Sequence, residues 1–142
     1  MWLRFFLPLA LFVLFGCGPP FKVAPVSGTV KLDGKPLPKA SVTFVPLGTK
    51  DNMNPGPTAQ GLTDTEGRFT LSINPETPGA VVGKCRVYVT TLLSDPAVED
   101  RDAGGAKKVR DKVPEKYNQK TELVYEVPPE GTDQANFDLK SR

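Results

Sequence analysis

Apolar and polar positions divide the 142-residue chain into two regimes. Phe5 to Phe15 form an unbroken apolar run, FFLPLALFVLF, after which hydrophobic side chains recur in short alternating stretches. A period of two sends successive side chains to opposite faces of a strand, so each stretch closed by turn residues predicts a strand with one buried face. Residues 26–32 set Val26, Gly28, Val30 and Leu32 against Ser27, Thr29 and Lys31, and Asp33-Gly34 then predicts a two-residue hairpin turn. Residues 40–45 answer with Ala40, Val42 and Phe44 inward. Pro36 and Pro38 lack N–H groups and so belong at an edge or a bulge. Residues 58–63 lead through Asp64-Thr65-Glu66-Gly67 into 68–73, with Phe69, Leu71 and Ile73 inward and Gly67 suited to a positive φ in the turn. The longest run, 84–92, places Cys85, Val87 and Val89 on one face and Lys84, Arg86 and Tyr88 on the other, and predicts a central strand. Residues 123–127 and 135–139 complete the set. Seven strands in about 115 residues suffice for a small antiparallel two-sheet sandwich.

The leading apolar run has a different meaning. Eleven residues rise about 16 Å as a helix, short of a hydrocarbon core of about 30 Å, so the run is too short to span a bilayer and instead has the layout of a secretory signal. Arg4 precedes it, and it ends Leu14-Phe15-Gly16-Cys17. This ending resembles the lipobox of bacterial lipoproteins. The resemblance implies cleavage between Gly16 and Cys17, a diacylglyceryl group on the Cys17 thiol and usually an acylated amine. Gly18 is not the aspartate that signals inner-membrane retention in some of these families, which favours the outer membrane or cell surface. Residues 1–16 are then a lipoprotein signal peptide, 17–25, rich in proline, a tether, and 26–142 the folded domain.

Composition narrows the chemistry. Lys and Arg number 18 against 16 Asp and Glu, and loss of the signal would leave 126 residues near neutrality, so no electrostatic footprint for nucleic acid exists. Gly and Pro together supply 28 residues, in keeping with a turn-rich β domain. The chain has no His. Ser-His-Asp catalysis is therefore excluded, and a usual zinc site lacks ligands. With Cys17 consumed by lipid, Cys85 has no disulfide partner, and its place in the 84–92 alternation makes it a small buried apolar residue.

Two long connections interrupt the strands. Residues 46–57, PLGTKDNMNPGP, are polar and turn-rich and are expected to form a flexible surface loop. Residues 94–112 carry five acidic and five basic side chains around Gly104-Gly105 and are expected to be a mobile insertion whose removal leaves the fold intact. Asp95, Glu99, Asp100 and Asp102 within it are candidate ligands for calcium, a hard cation that takes several carboxylates, although their spacing is not that of an EF-hand. Asp64 and Glu66 are the carboxylate pair available for acid–base work in a His-independent hydrolase, but a turn favours Asp for backbone hydrogen bonding alone. Tyr88, Tyr117 and Tyr125 are the candidate contacts for a sugar or a protein, Tyr117 doubling as a plug at one end of the sandwich.

The runs VSGTVKLDGKPLPKASVTFVP and GLTDTEGRFTLS resemble the carboxypeptidase-regulatory-like, or transthyretin-like, domain. Gly28, Val30, Gly34, Pro36, Leu37, Ala40, Val42 and Phe44 match its first motif. Thr63, Asp64, Gly67, Phe69 and Leu71 match the second, and Pro78, Gly79, Gly83, Val87 and Val89 the third. Residues 113–118, VPEKYN, with Thr121, Leu123 and Val127, resemble small bacterial lipoproteins carrying this domain. The resemblance implies an all-β, Ig-like (transthyretin/prealbumin-like) antiparallel sandwich. It also separates this chain from the transthyretin-like hydrolases of purine breakdown, which use histidines and end in Tyr-Arg-Gly-Ser, whereas this chain ends Asp138-Leu139-Lys140-Ser141-Arg142. Related sandwiches form Lys–Asn isopeptides, but Lys31 and Asn136 alternate outward in the expected registers. The expectation is a non-catalytic, lipid-anchored envelope module that needs no cofactor and binds or spaces a protein or glycan partner. The alternative is a calcium-binding surface module built on 95–102.

Overall fold

The computed structural model describes residues 21–92, 99–101 and 107–142. In chain order the strands are β1 (Val23–Ala24), β2 (Ser27–Leu32), β3 (Lys35–Pro36), β4 (Ser41–Pro46), β5 (Ala59–Leu62), β6 (Arg68–Thr70) and β7 (Ser72–Asn74). They continue as β8 (Thr77–Pro78), β9 (Ala80–Val81), β10 (Gly83–Thr90), β11 (Glu99–Arg101), β12 (Lys107–Val109), β13 (Val124–Val127) and β14 (Phe137–Leu139), with a 3₁₀ turn at Glu115–Tyr117. The protein is an all-β sandwich. Its larger sheet has the order β13-β10-β4-β5-β7-β8, antiparallel throughout, so β10 is an interior strand. The smaller sheet runs β14-β2-β3, with β6 also on β2. Its β14–β2 pairing is parallel, because the chain crosses from the larger sheet after β13 and returns beside β2 in the same direction.

Local chemistry accounts for the registers. Asp33 and Gly34 take φ of 51° and 80°, the geometry of a mirror-image type I turn whose twist matches the strands it joins. The turn sets Lys31 opposite Pro36 and Leu32 opposite Lys35, with Pro36 on the edge strand. Gly67, at φ 74°, closes the second hairpin, where a Cβ would lie 2.4 Å from the Val30 carbonyl oxygen. Val30, Ala40, Val42, Phe44, Leu71, Val87 and Val89 are fully buried, in the alternation expected. Rings from both sheets meet in the interior: Phe137 of β14 lies 6.1 Å from Phe44 of β4, 6.3 Å from Phe69 of β6 and 5.9 Å from Tyr125 of β13, centroid to centroid.

The expected single strand over 68–73 is two strands in different sheets. Thr70 pairs with Ser27 of the smaller sheet and Ser72 with Gln60 of the larger, and Leu71 turns the corner fully buried, its N–H donating to the Val26 carbonyl. Gly61 permits the crossing, since a Cβ there would sit 2.5 Å from the Thr70 carbonyl oxygen. Residues 23–25 of the expected 17–25 spacer belong to the fold. Val23–Ala24 pairs with Ala80–Val81, Ala24 is buried, and the Pro25 carbonyl accepts the Thr132 N–H. The 46–57 connection is pinned: Thr49 and Asn52 exchange backbone hydrogen bonds, and Leu47 N–H donates to the Lys84 carbonyl. In the 94–112 insertion, β11 and β12 pair antiparallel along the backbone, and Asp111 is part of the fold. Lys31 and Asn136 are exposed, and Asn136 Oδ1 accepts both the N–H and the hydroxyl of Thr29.

Candidate functional site

The three candidate tyrosines do not share a surface. Tyr125 pairs with Cys85 across the β10–β13 ladder, so its ring enters the interior, 5.7 Å from Phe44. Tyr88, opposite Thr43 and out of phase with Val87 and Val89, lies on the outer face of the same sheet. Tyr117 packs half-buried against the core from the 3₁₀ turn, and its hydroxyl accepts the Lys140 N–H at 3.1 Å. The Lys116 ammonium stands 5.1 Å from its ring centroid. Tyr117 thus ties the turn to the segment that follows β14.

The densest polar constellation centres on Asp111. Oδ1 accepts the N–H and hydroxyl of Thr91, at 2.9 and 2.8 Å, and the Val113 N–H at 3.0 Å. Oδ2 accepts the Thr90 hydroxyl at 2.5 Å and the Asn118 amide at 2.8 Å. Asn118 also donates to the Val113 carbonyl, and Thr91 Oγ1 accepts the Lys112 N–H. Partial burial pushes the Asp111 carboxyl upward, but the hydrogen bonds from Thr90, Thr91 and Val113 outweigh it and hold the group below its ordinary value. The result is a clasp that joins the end of β10 to residues 111–118. Its carboxylate oxygens are committed to fixed donors, which suits a structural charge better than a proton carrier.

The other candidate groups have similar commitments. Asp64 Oδ1 accepts the N–H groups of Glu66 and Arg68, each at 2.9 Å, and Oδ2 meets Arg68 Nε at 3.3 Å. The Arg68 backbone bond leads the effects holding Asp64 below its usual range. Arg68 also pairs with Glu66, so both carboxylates of this exposed turn are spanned by one guanidinium. Cys85 is buried, its thiol pushed up to about 11 by desolvation, with Sγ 3.6 Å from the Val81 carbonyl oxygen. A thiolate nucleophile is not available there at neutral pH.

Asp95 and Asp102 of the proposed calcium set lie outside the described residues, as do Gly16 and Cys17; Glu99 and Asp100 lie in β11. Among the described residues, no group of three His, Cys, Asp or Glu side chains gathers to hold a metal. Nor is any helix among them long and apolar enough to cross a membrane.

Surface depressions remain among the described residues. An open groove of about 580 Å³ runs over the outer side of β2 and β6, lined by Ser27, Thr29, Leu62, Asp64, Arg68 and Asp133 among others. A smaller one, about 220 Å³, lies between the 46–57 loop and β9–β10, with Leu47, Pro55, Val81, Val82 and Lys84 in its wall.

The Asp111 clasp was not anticipated from sequence. Thr90 and Thr91 lie 21 and 20 residues before Asp111, and the local signal is an aspartate two positions before Val113, a spacing that suits a side-chain-to-backbone turn.

No protein-family model matches the chain, and no curated protein matches it. Among solved structures, it is similar to a 9R-lipoxygenase from Cyanothece PCC8801 with a TM-score of 0.34 and 14% identity. That alignment covers 84% of this chain and 16% of the lipoxygenase chain, so this chain corresponds to a small part of that enzyme's length.

Proposed function

We propose that this protein is a lipid-anchored cell-envelope lipoprotein whose sandwich, of the carboxypeptidase-regulatory-like or transthyretin-like kind, serves as a non-catalytic module that binds or spaces a protein or glycan partner. The observation that carries the proposal is the sequence Leu14-Phe15-Gly16-Cys17 at the end of the apolar run, followed after a few residues by the first strand, Val23–Ala24. A thioether-linked diacylglyceryl at Cys17 with an acylated amine supplies two or three chains, and each buried methylene contributes about 0.8 kcal/mol, enough for stable membrane attachment without a spanning helix. A non-catalytic role is supported by the absence of His from the sequence, by a Cys85 thiol raised to about 11, and by carboxylates occupied with backbone donors.

Detergent phase partitioning followed by cross-linking in intact cells tests both halves. The native protein is expected in the detergent phase, cross-linked reproducibly to one envelope component, while Cys17→Ser moves to the aqueous phase. Native protein in the aqueous phase would contradict the anchor. Turnover of a glycan or peptide substrate by the purified protein would contradict the non-catalytic role.

A further inference from the structure

We infer that the end of the sandwich carrying Phe21 and the 46–57 loop rests on the lipid surface, with Met53 inserted among the headgroups as a second, apolar contact. The inference depends on the anchor at Cys17 proposed above and adds the orientation in which the domain is held.

The direction follows from where the described chain begins. Phe21 packs at one end of the sandwich, where a Cβ on Gly56 would lie 3.0 Å from both a Phe21 ring carbon and Val81 Cγ2. The Lys22 carbonyl accepts the Val82 N–H at 2.8 Å. Pro46, Gly83 and Val127, which terminate β4, β10 and β13, lie at the same end. From Cys17 to Phe21 the chain can span at most about 14 Å. The eight residues of β10 extend roughly 25 Å. A lipid on Cys17 therefore brings this end to the bilayer and leaves the opposite end, with Lys35 and the Asp33-Gly34 turn, beyond the reach of the tether.

The same end presents an apolar side chain on a fixed support. Met53 is 90% exposed, the most exposed of the large hydrophobic side chains among the described residues. Its loop closes on itself. Thr49 and Asn52 exchange backbone bonds, Thr49 Oγ1 accepts the Asn52 N–H, and Asn52 Oδ1 accepts the Asn54 N–H. Lys50 and Asp51 beside it sum to no net charge, and Lys22 and Lys84 are exposed at the same end, so the apolar contact of Met53 is accompanied by basic side chains placed near the headgroups.

A tryptophan at position 53 reads the contact. The sole native Trp is Trp2, which cleavage before Cys17 removes, so Met53→Trp in the lipidated protein is observed without background. In phosphatidylethanolamine–phosphatidylglycerol vesicles with brominated acyl chains, its emission is expected to shift to the blue and fall about twofold or more. Lys35→Trp, at the opposite end, is expected to show neither change. If intact mass shows lipid and the vesicles carry the protein, yet Trp at 53 is not quenched, the contact is overturned while the anchor stands. A blue shift without bromine quenching would mean that a protein surface covers Met53, and also overturns it. A protein found without lipid overturns anchor and orientation together.

Discussion

Replacing Asp111 by alanine removes the shared acceptor for the Thr91 and Val113 N–H groups, the Thr90 and Thr91 hydroxyls and the Asn118 amide. The hydroxyls can rotate toward water, and Asn118 keeps the Val113 carbonyl, but the two backbone N–H groups lose this partner. A buried donor left unsatisfied costs about 1–3 kcal/mol, and because the site is half-buried the lower part of that range applies to each, giving about 3 kcal/mol in all. Against a total stability of about 5–15 kcal/mol this is a large loss, equivalent to a fall of roughly 10 °C in Tm. Asp111→Asn keeps one oxygen but turns an N–H₂ toward existing donors, and is expected to cost about 1–2 kcal/mol. Asp111 titrates below its ordinary value in the fold, so its stabilisation is complete above the unfolded value of about 3.9 and is lost as pH falls through the folded value. The gap between wild type and Asp111→Asn should therefore narrow below about pH 4, whereas it should be constant from pH 6 to 8. Thermal unfolding followed by circular dichroism on the detergent-solubilised protein measures all of this. A Tm for Asp111→Ala within about 2 °C of wild type at neutral pH would refute the clasp as a stabilising element.

Two further outcomes follow from the turns and the core. Gly67→Ala should destabilise by more than about 2 kcal/mol, since its Cβ would collide with the Val30 carbonyl as well as strain a positive φ, while Gly34→Ala, open to solvent, should cost only about 1 kcal/mol; urea titrations of the two variants give the comparison. Cys85 should resist maleimide in the native protein at neutral pH and react promptly once urea unfolds it, and native-state labelling within minutes would contradict its burial and raised pKa.

The strands were legible where one face is buried and the turn chemistry is local. Val26, Val30, Val42, Phe44, Val87 and Val89 face inward as their alternation requires, and Asp33-Gly34 makes the turn its residue types favour. The β6–β7 corner was hidden because both sheets share one interior, so the inward alternation continues through Leu71 while the hydrogen-bond partners change. Two-residue strands such as β1, β8 and β9 carry no period at all, which is why Val23–Ala24 read as part of a proline-rich tether. The tyrosines needed a register as well as a period. Only the pairing of Cys85 with Tyr125 and of Tyr88 with Thr43 separates the inner ring from the outer one. Asp64 could be read as a turn acceptor from its own neighbours, whereas Asp111 could not, because Thr90 and Thr91 reach it only through the fold.

The most direct test of the lipid anchor is the intact mass of the protein purified from membranes, beside a Cys17→Ser form. The account requires a chain beginning at Cys17 with the added mass of a diacylglyceryl group and an N-acyl chain, and no such species from Cys17→Ser. A native protein that begins elsewhere, or that begins at Cys17 with an unmodified thiol, would contradict it.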